Sequence, residues 1–441
     1  MSSTNPLYNL KAVLKETGLG ADTLRAWERR YGLPTPERTP GGHRLYSQHD
    51  IALIKWLVAR QHEGLSISRA VELWREQTAG GKEPLQTVQE PRPASFGAQA
   101  LYLLPETGLD ALRAQWLAAC LNFNEITAEQ TLNQAFSLYP VETVSTDLLA
   151  RGLTEIGLLW HENRATVQQE HFASNLAMRR LDALIAAAPI PGRPHTILVG
   201  CPPNEWHNFS GLLLSLLLRR RGLNVVYLGA NVPQNRFEET LDAVQPSLVV
   251  LISQQLRTAA SLQQTAGLLA AHGATVTFGG RIFEMQPGLL NRIAGHYLGA
   301  TLDAGIEKIE SLLVQRPGAP QTVPASEEHL QTLTNFIVKR PLIENTVHEQ
   351  TQPYSTNLEY ITNANQFLGD NIIAALQLGD LRFIDTELDW LATLIKVHHI
   401  SPQVVANYLE NYRRAIEQHL PENGRLIREW LQTATISKFL A

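Results

Sequence analysis

The spacing of apolar and polar positions changes several times along the 441 residues of the chain. Residues 1–77 show helical spacing with one turn-rich stretch, and residues 98–190 show helical spacing throughout. From 194 to 316, short apolar runs alternate with helical segments, as in a parallel sheet with crossover helices. Residues 327–441 return to helical spacing. The pattern predicts a multidomain protein in which an α/β domain lies between helical segments.

Two segments of linker-like composition separate these parts. Residues 78–97 and 317–326 are rich in Pro, Gly and polar side chains. No run of about 18 apolar residues is present, so no membrane span is expected, and the first residues lack the apolar stretch of a signal peptide. Cys120 and Cys201 are far apart and in no metal-type spacing, which fits a reducing compartment. We therefore expect a cytoplasmic protein.

The formal net charge of −5 is unevenly distributed along the chain. Residues 1–60 contain nine Lys or Arg and five Asp or Glu, a net charge of +4, so the remainder carries −9. A basic segment on an acidic body indicates that only the N-terminal part contacts a polyanion.

The basic segment contains a pattern typical of a helix-turn-helix unit. The stretch ADTLRAWERRYG at residues 21–32 predicts a helix that is closed by Gly32 and Pro34. Leu24 and Trp27 share one face of this helix and are expected in the core. Three side chains project elsewhere, as a recognition helix in a major groove requires: Arg25, Arg29 and Arg30. For any one of these arginines, a merely solvated face is the alternative.

A tight hairpin is predicted next, over residues 39–46. Such a hairpin would act as a wing, with Arg44 and Tyr46 placed to touch phosphate. The side chains expected at the DNA from this wing are His43, Arg44 and Tyr46. Ser47 then caps the following helix, with Asp50 at the reciprocal position of a capping box.

These two stretches resemble the DNA-binding domain of the MerR family of transcription regulators. They match its patterns T-L-R-x-W-E-R-R-Y and R-T-x-G-G-x-R-L-Y, and the resemblance covers about the first 75 residues. It implies a winged helix-turn-helix domain over 1–77 that binds double-stranded operator DNA as a dimer and deforms it, so that specificity is partly indirect. A generic basic helical hairpin is the alternative.

The α/β region contains a candidate metal-ligand group. The apolar run TILVG at 196–200 predicts a strand, and Glu205, His207 and Gly211 follow it in a loop. An imidazole on such a loop can coordinate a metal, and a nearby carboxylate can hold its other ring nitrogen. Ligands bind at the carboxyl ends of parallel strands, where this loop falls. Taken alone, a surface histidine with an incidental glutamate is equally compatible with the pattern.

Two later features extend this group. Ser253 ends the predicted strand 247–253, and Gly279 and Gly280 follow the predicted strand 274–278. The series resembles the D-x-H-x-x-G, S-x-L and G-G signature of cobalamin-binding domains. The resemblance implies a doubly wound, Rossmann-like domain over 194–316, in which His207 is the lower cobalt ligand. Ser253 and the two glycines would line the slot for the nucleotide tail.

Two departures from this signature affect what it implies. Glu205 replaces the usual aspartate, which keeps the carboxylate beside the imidazole. Ser253-Gln254-Gln255 replaces Ser-x-Leu, which places the contacts with the nucleotide tail in doubt.

The helical segment before the α/β region carries a further group of side chains. Thr166 and Gln169 form a predicted capping box, so one helix should end near His161 and the next should begin at Val167. This brings four side chains to one end of a helical bundle: Trp160, His161, Glu170 and His171. Taken alone, the segment is as well explained by an aromatic core residue with amphipathic neighbours.

Together with the cobalamin signature, the W-x9-E-H spacing resembles CarH-type photoreceptors over residues 1–316. The resemblance implies that residues 98–190 form a four-helix-bundle cap over the upper face of adenosylcobalamin. Trp160 would pack against the adenosyl group, and Glu170 and His171 would bound its pocket. His161 matches the residue that becomes the upper cobalt ligand after photolysis.

The resemblance implies a transcription regulator, a repressor by expectation, that binds adenosylcobalamin and operator DNA in the dark as a dimer or tetramer. Light would change the oligomeric state and release the DNA. Methylcobalamin or another corrinoid is also possible. The alternative is a regulator that senses cobalamin without light. A corrinoid enzyme is disfavoured, because a DNA-binding head would be hard to explain and no mutase substrate barrel is present; we expect no enzymatic activity.

Residues 327–441 have no counterpart in the CarH-type arrangement. The sequence predicts three to five helices in a separate all-α bundle, with helix starts at Ser326 and at Ser401-Pro402. For His398-His399 and for Asp389-Trp390, a satisfied or solvated role is favoured over a ligand site. The bundle could add a dimer contact, bind an unknown partner or sense a second signal.

Overall fold

The computed structural model of the chain describes residues 6–17, 19, 21–39, 42, 44–62, 67–79, 108–315, 317–351, 358–397, 401–435 and 438–439. The chain forms two compact units, Met1–Leu103 and Leu104–Ala441. Within the described residues, no helix has the length and apolar character that crossing a membrane requires.

The N-terminal unit combines four helices with a small antiparallel sheet over its described residues. The sheet has the order β1-β3-β2, and the β2–β3 hairpin pairs Arg38 with Arg44. This hairpin confirms the predicted wing. The elements are β1 Pro6–Asn9, α1 Leu10–Thr17, α2 Ala21–Tyr31, β2 Glu37–Arg38, β3 Arg44–Ser47, α3 Gln48–His62 and α4 Ile67–Ala79.

Local signals in the sequence set the ends of the helices in this unit. Helix α2 ends at Gly32, whose φ of +68° lies in the left-handed region that favours glycine. Ser47 and Asp50 form the predicted capping box at the start of α3: the Ser47 N–H donates to Asp50 at 2.8 Å, and the Asp50 N–H donates to Ser47 Oγ at 3.1 Å. Leu24 and Trp27 are buried in the core, as predicted.

The second unit begins with a four-helix bundle, as predicted. Its third helix is continuous in backbone conformation, with a π-helical segment at Val144–Ala150 between α7 and α8. Thr166 and Gln169 form a capping box at the start of α9. The helix ends predicted at His161 and Val167 are therefore confirmed. The helices are α5 Leu109–Leu121, α6 Glu125–Leu138, α7 Val141–Thr143, α8 Arg151–His161 and α9 Val167–Ala186.

A five-stranded parallel sheet follows, in the order β5-β4-β6-β7-β8. The central strand β6 is buried at all five positions because helices cover both faces of the sheet. This doubly wound architecture is the predicted one. Its elements are β4 Thr196–Gly200, α10 Phe209–Arg220, β5 Asn224–Gly229, α11 Phe237–Val244, β6 Leu248–Ile252, α12 Leu256–Ala271, β7 Val276–Gly279, α13 Arg281–Met285, a 3₁₀ turn Pro287–Arg292, β8 His296–Tyr297 and α14 Leu302–Gln315.

Five helices follow over the described part of 327–441, within the predicted range of three to five. Both predicted helix starts are confirmed, because α15 begins directly after Ser326 and α18 begins at Pro402 with Ser401 as its N-cap. The elements are α15 Glu327–Thr351, α16 Leu358–Leu378, a 3₁₀ turn Leu381–Ile384, α17 Asp385–Val397, α18 Pro402–His419 and α19 Arg425–Thr435.

The prediction that this C-terminal bundle stands apart is wrong. One continuous hydrophobic cluster contains Val249 and Leu251 of β6 together with Phe336 and Ile372 of the bundle. Alternate residues of the same strand belong to a second cluster with the four-helix bundle. The physical reason is that α12 presents apolar residues on two sides, and α16 packs on its outer side, where Gln377 Nε2 donates to Ala260 O at 2.7 Å. The sheet therefore lies between two helical layers.

Candidate corrinoid site and DNA-binding head

The carboxyl ends of β4 and β6 lie side by side at one edge of the sheet. The two strands are neighbours, but the chain leaves β4 toward β5 and leaves β6 toward β7, so the two exit loops diverge. Such a switch point forms the ligand crevice of doubly wound sheets. Glu205 and His207 stand on the loop after β4, and Ser253 stands directly after β6. The predicted strand-end placement of these residues is confirmed.

The carboxylate of Glu205 is the centre of the hydrogen bonds in this crevice, with a side chain that is 0% exposed. Its Oε1 accepts a hydrogen bond from the His207 backbone N–H at 2.9 Å and lies 2.7 Å from His207 Nδ1. Its Oε2 accepts from the Gln254 backbone N–H at 2.7 Å and from the Thr258 hydroxyl at 2.6 Å. Glu205 therefore joins the loop after β4 to the loop after β6 and to the first turn of α12.

These contacts also set the protonation of the pair. Burial raises the pKa of the Glu205 carboxyl, but hydrogen bonds from His207, Thr258 and Gln254 outweigh it and lower the pKa overall. The hydrogen bond to Glu205 raises the pKa of His207 against the effect of desolvation, and the charge of Glu170 adds to the rise. An ionised carboxylate beside Nδ1 keeps the proton of the neutral imidazole on that nitrogen and leaves the lone pair on Nε2.

The imidazole of His207 is suited to bind a metal ion that approaches from outside. Its side chain is 58% exposed, although its partner Glu205 is fully buried. A ring that is held at one nitrogen and open at the other can bind a metal without first losing its orientation. The residues present thus fit the lower axial position of a corrinoid.

The glycine pair after β7 forms a close contact with the loop after β6. Gly280 has φ +121°, and a Cβ atom at this position would lie 1.9 Å from the carbonyl oxygen of Ser253. Any side chain here would push the two loops apart. Gly279 is less restricted, since a Cβ atom would meet Leu298 only at 3.7 Å. The slot predicted for the nucleotide tail at this edge, here called the cradle, therefore depends on Gly280 rather than on Gly279.

Ser253 is buried and fully engaged inside the protein. Its hydroxyl lies 2.6 Å from the Thr258 hydroxyl, and its backbone N–H donates to Gly279 O at 3.1 Å. Its proposed contact with a nucleotide tail stays a prediction. Gln254 links more of the site than Ser253 does, because it donates from Nε2 to Ser210 at 2.9 Å and accepts at Oε1 from the Arg281 N–H at 3.0 Å.

The equation of Gly211 with the glycine of the D-x-H-x-x-G pattern is wrong. Gly211 lies four positions after His207, and Ser210 stands where the pattern has glycine. The structure also gives Gly211 no special role, since a Cβ atom there would lie 3.4 Å from Ile252 Cδ1, an ordinary contact. Ser210 instead contributes its hydroxyl to the bond with Gln254.

The four cap residues predicted from W-x9-E-H lie at the end of α8 and the start of α9. Trp160 and His161 are the last two residues of α8, Glu170 stands in the first turn of α9, and His171 follows it directly. Glu170 Oε2 lies 2.6 Å from His171 Nδ1, and the charge of Glu170 also acts on His207. Glu170 at this end of the cap therefore lies near the loop that carries His207.

An unpredicted aromatic residue completes this end of the cap. The ring of Trp390 on α17 stacks on the imidazole of His161, with centroids 5.7 Å apart and planes at 23°. The same ring lies 6.2 Å from that of Trp160. Asp389 beside it is exposed and pairs with Lys438. Trp390 is packed against these rings and Asp389 is paired, so both have the satisfied role that was expected, while His398-His399 lie outside the described residues.

The three arginines predicted on the recognition helix are exposed on the surface of α2. They are Arg25, Arg29 and Arg30. Leu24 and Trp27 turn the opposite face of the helix into the core. This division of faces is what a major-groove helix requires, and contact of each arginine with DNA stays a prediction.

The expected phosphate contact of Tyr46 is wrong. Its side chain is 0% exposed, and its hydroxyl donates to Glu28 Oε1 at 2.5 Å. Arg44 is only part-buried and donates from Nε to the other oxygen of Glu28 at 2.8 Å. Glu28 on α2 therefore binds the Arg44 end of the wing and also accepts the hydrogen bond of the Tyr46 hydroxyl. His43 lies outside the described residues.

Four site residues were missed by sequence reasoning. Gln254 and Thr258 carry no signal of their own, because their role arises from bonds to Glu205. Tyr227 lies beside Gly211 and donates to Asn208 O at 3.1 Å. Trp390 is noted in the sequence beside Asp389, but no sequence pattern pairs it with His161.

A winged DNA-binding head joined to a parallel-sheet domain with a carboxylate-held imidazole at its switch point defines a class of protein, the transcription regulators with a corrinoid-binding domain. The family models agree with this class. "MerR HTH family regulatory protein" matches residues 8–77, and "B12 binding domain" models match residues 112–185 and 195–301.

The chain is 30% identical over 292 residues to the HTH-type transcriptional repressor CarH of Myxococcus xanthus, a match that covers 66% of this chain and 94% of that protein. It is also 30% identical over 246 residues to the repressor CarA of the same organism, covering 55% of this chain and 75% of that protein. The chain therefore belongs to the CarH-type family of cobalamin-binding MerR regulators.

Among solved structures, the monomethylamine corrinoid protein of Methanosarcina barkeri covers 46% of this chain and all (100%) of its own, with a TM-score of 0.40 and 15% identity. The protein is a transcription regulator with a cobalamin-binding domain.

Proposed function

We propose that the protein is a light-responsive repressor that binds adenosylcobalamin and operator DNA in the dark. Light that cleaves the cobalt–carbon bond would change its oligomeric state and release the DNA. The observation that carries this proposal is the buried Glu205 carboxylate that holds His207 at Nδ1 on the loop after β4, together with the W-x9-E-H residues gathered at the end of α8 and the start of α9.

The proposed role of the Glu205–His207 pair follows from its contacts, and the roles of the cap residues follow from the family resemblance. His207 would hold the lower face through Nε2, with Glu205 fixing the ring. Trp160 would pack against the upper adenosyl group, and Glu170 and His171 would bound its pocket. When bound, adenosylcobalamin supplies a weak, visible-light-sensitive cobalt–carbon bond. Once the adenosyl group has left, His161 would offer an imidazole lone pair to the vacated upper position.

The coupling to DNA is proposed to act through the oligomer. Several heads on one assembly bind an operator more tightly than single heads, because the second contact is made at high effective concentration. A shift of the cap after loss of the adenosyl group would favour a different assembly and so release the DNA. A dimer and a tetramer are both compatible with this proposal.

A regulator that senses cobalamin without light is the second candidate. The contact that favours it is the stack of His161 on Trp390, because this stack would have to open before the imidazole could reach the upper face. In this case, methylcobalamin or another corrinoid would serve as well as the adenosyl form.

The deciding experiment is an absorption spectrum of the full chain loaded with adenosylcobalamin in the dark, recorded before and after green light. We expect an alkylcobalamin spectrum that converts to that of cobalt between two imidazoles, with His161→Ala losing only the second spectrum. DNA binding and oligomeric state, measured by mobility shift and gel filtration, should change with the same dose of light.

A corrinoid that stays bound, with DNA binding that ignores light, would establish the second candidate. A chain that retains no corrinoid would contradict both candidates and the role of His207.

A further inference from the structure

Helix α17 touches both sides of the proposed corrinoid pocket. Toward the cap, Trp390 stacks on His161 and lies beside Trp160. Toward the sheet, Glu387 stands one turn earlier on the same helical face and lies close to the backbone N–H of Leu256, the first residue of α12. The helix therefore spans the distance between the cap and the switch-point edge of the sheet.

The sheet domain fixes the position of this helix. Gln286, directly after α13, donates from Nε2 to Phe383 O at 2.9 Å and also bonds the Thr386 hydroxyl. Leu388 of α17 belongs to the hydrophobic cluster that includes Phe278 and Phe283. Since α17 is bonded and packed against the sheet domain, Trp390 is held at a defined place above the pocket edge.

The charged groups near Glu387 belong to the loops of the site, so α17, which we call the wall of the pocket, lies beside these loops. Burial raises the pKa of its carboxyl, and the nearby Arg281 and Arg257 act in the opposite direction. Arg281 follows Gly280 directly, and Arg257 adjoins Thr258 of the Glu205 network. Glu387 thus lies next to both loops that would hold a nucleotide tail.

One ring nitrogen of His161 lacks a hydrogen-bond partner among the described residues. Its Nδ1 is buried, and no hydrogen-bond partner for it lies among the residues that the structure describes. A buried unpaired ring nitrogen costs free energy, so a packing contact must hold the imidazole in this place. The face of Trp390 provides that contact.

We propose that Trp390 is a positioning residue for the upper face of the corrinoid, which retains His161 in a stack and releases it when His161 moves to cobalt. The inference rests on the proposed function, because it assigns a resting place to the imidazole that becomes the upper ligand. It makes the C-terminal bundle a part of the sensor. A shift of His161 removes the contact between the cap and α17, so the bundle registers which upper ligand is present.

The first test uses the full chain without corrinoid and in the dark. The rate at which diethyl pyrocarbonate modifies His161, followed by mass spectrometry of the peptide, reports how well the ring is covered. We expect Trp390→Ala to raise this rate about two- to tenfold, the range that corresponds to one aromatic pair. Trp390→Phe should lie between the two, and Asp389→Asn, on the same helix but outside the stack, should match the wild type.

The second test follows the full chain loaded with adenosylcobalamin after a flash of green light. If the stack restrains His161, Trp390→Ala should form the spectrum of cobalt between two imidazoles about two- to tenfold faster than the wild type. Asp389→Asn should again be unchanged. Thermal unfolding of each variant shows whether the bundle has folded, and Trp390→Phe keeps the test valid should the alanine variant fail to fold.

Failure of the inference and failure of the proposed function give different results. A wild-type chain that never forms the two-imidazole spectrum contradicts the proposed function before any variant is compared. A wild type that forms it, with unchanged rates of modification and ligation in both Trp390 variants, overturns the inference alone. Faster modification without faster ligation also overturns it, since the stack would then cover His161 without restraining it.

Discussion

Glu205 and His161 belong to opposite sides of the proposed pocket, and they differ in how their polar atoms are satisfied. The two oxygens of Glu205, which is fully buried, accept hydrogen bonds from the loops after β4 and β6 and from the first turn of α12. His161 has a buried Nδ1 without a partner among the described residues, and an aromatic stack holds it. A closed network resists change because every displaced group loses a bond, whereas a stack can slide apart at lower cost. We therefore expect the lower side of the proposed pocket to keep its arrangement and the upper side to rearrange.

The sharpest way to break this comparison is to disturb the cradle on the lower side. Gly280→Ala would place a Cβ atom 1.9 Å from Ser253 O at a positive φ, so the loops after β6 and β7 must separate. We expect a loss of about 3 kcal/mol in the free energy of unfolding, from backbone strain and from the broken Ser253–Gly279 contact. Urea denaturation of the full chain measures it.

Gly279→Ala is the matched control for this substitution. Its added Cβ atom would meet Leu298 at 3.7 Å, an ordinary contact, and Gly279 itself has no positive φ. The expected change is therefore small. Equal losses in the two variants would contradict the idea that the cradle depends on Gly280.

Features of both sides whose signals are local could largely be predicted from the sequence. A buried apolar run followed by a polar loop defines β4 and its ligands, and the Thr166–Gln169 box placed the helix ends at His161 and Val167. The link from Glu205 to Thr258 could not be predicted, since it depends on which two loops the sheet order brings together.

The upper side and the wing show where local reasoning ends. Trp390 reaches His161 only because α16 packs on α12 and so carries α17 to the pocket edge, a choice made by tertiary packing. Tyr46 has the sequence context of a phosphate contact, but the carboxylate of Glu28 on α2 captures its hydroxyl. In both cases the decisive partner lies far away in the sequence.

The second prediction concerns the carboxylate of the closed network. Glu205→Gln keeps the size of the side chain but replaces one acceptor oxygen by an NH₂ group. Either the two nitrogens of His207 at Oε1, or the Gln254 N–H and the Thr258 hydroxyl at Oε2, then lose their acceptor. Residues that orient a metal ligand typically change metal affinity by about 10–100-fold. We expect a loss of that size in corrinoid affinity, measured by absorbance titration.

Glu205→Asp is the informative companion of this variant, because aspartate is the usual residue of the cobalamin signature. It retains the charge but is one methylene shorter, so it should lose less affinity than the glutamine variant. If glutamine binds as tightly as the wild type, the carboxylate does not tune His207.

The DNA-binding head allows the same contrast between closed and open groups to be tested away from the pocket. Tyr46→Phe removes one hydrogen bond to Glu28 inside the core, which should cost about 1–2 kcal/mol of stability. Because the hydroxyl is buried, the salt dependence of DNA binding should stay the same. Fluorescence anisotropy with operator DNA at several salt concentrations measures it.

Arg29→Ala is the comparison for the open class, since Arg29 is exposed on α2. If this arginine neutralises a phosphate, its removal lowers the slope of log affinity against log salt by about 0.9 per head. A fall in slope for Tyr46→Phe instead would restore the phosphate contact that its burial argues against.

The smallest expected effect concerns Glu387, on the wall that connects the two sides. Burial raises the pKa of this carboxyl in the folded protein, so its ionised form is disfavoured there. Stability from this group is therefore full below its unfolded pKa and falls as the pH rises through the folded pKa. Glu387→Gln removes the charge and keeps nearly the size of the side chain. It should raise the unfolding free energy at neutral pH by about 0.5 kcal/mol, the scale of a substitution that leaves packing intact, and the gain should vanish on acidification.

Thermal unfolding of the wild type and of Glu387→Gln between acidic and neutral pH measures this difference. A variant that is less stable at neutral pH would mean that Arg281 and Arg257 hold Glu387 as an ion, so that the wall is a closed network like that of Glu205.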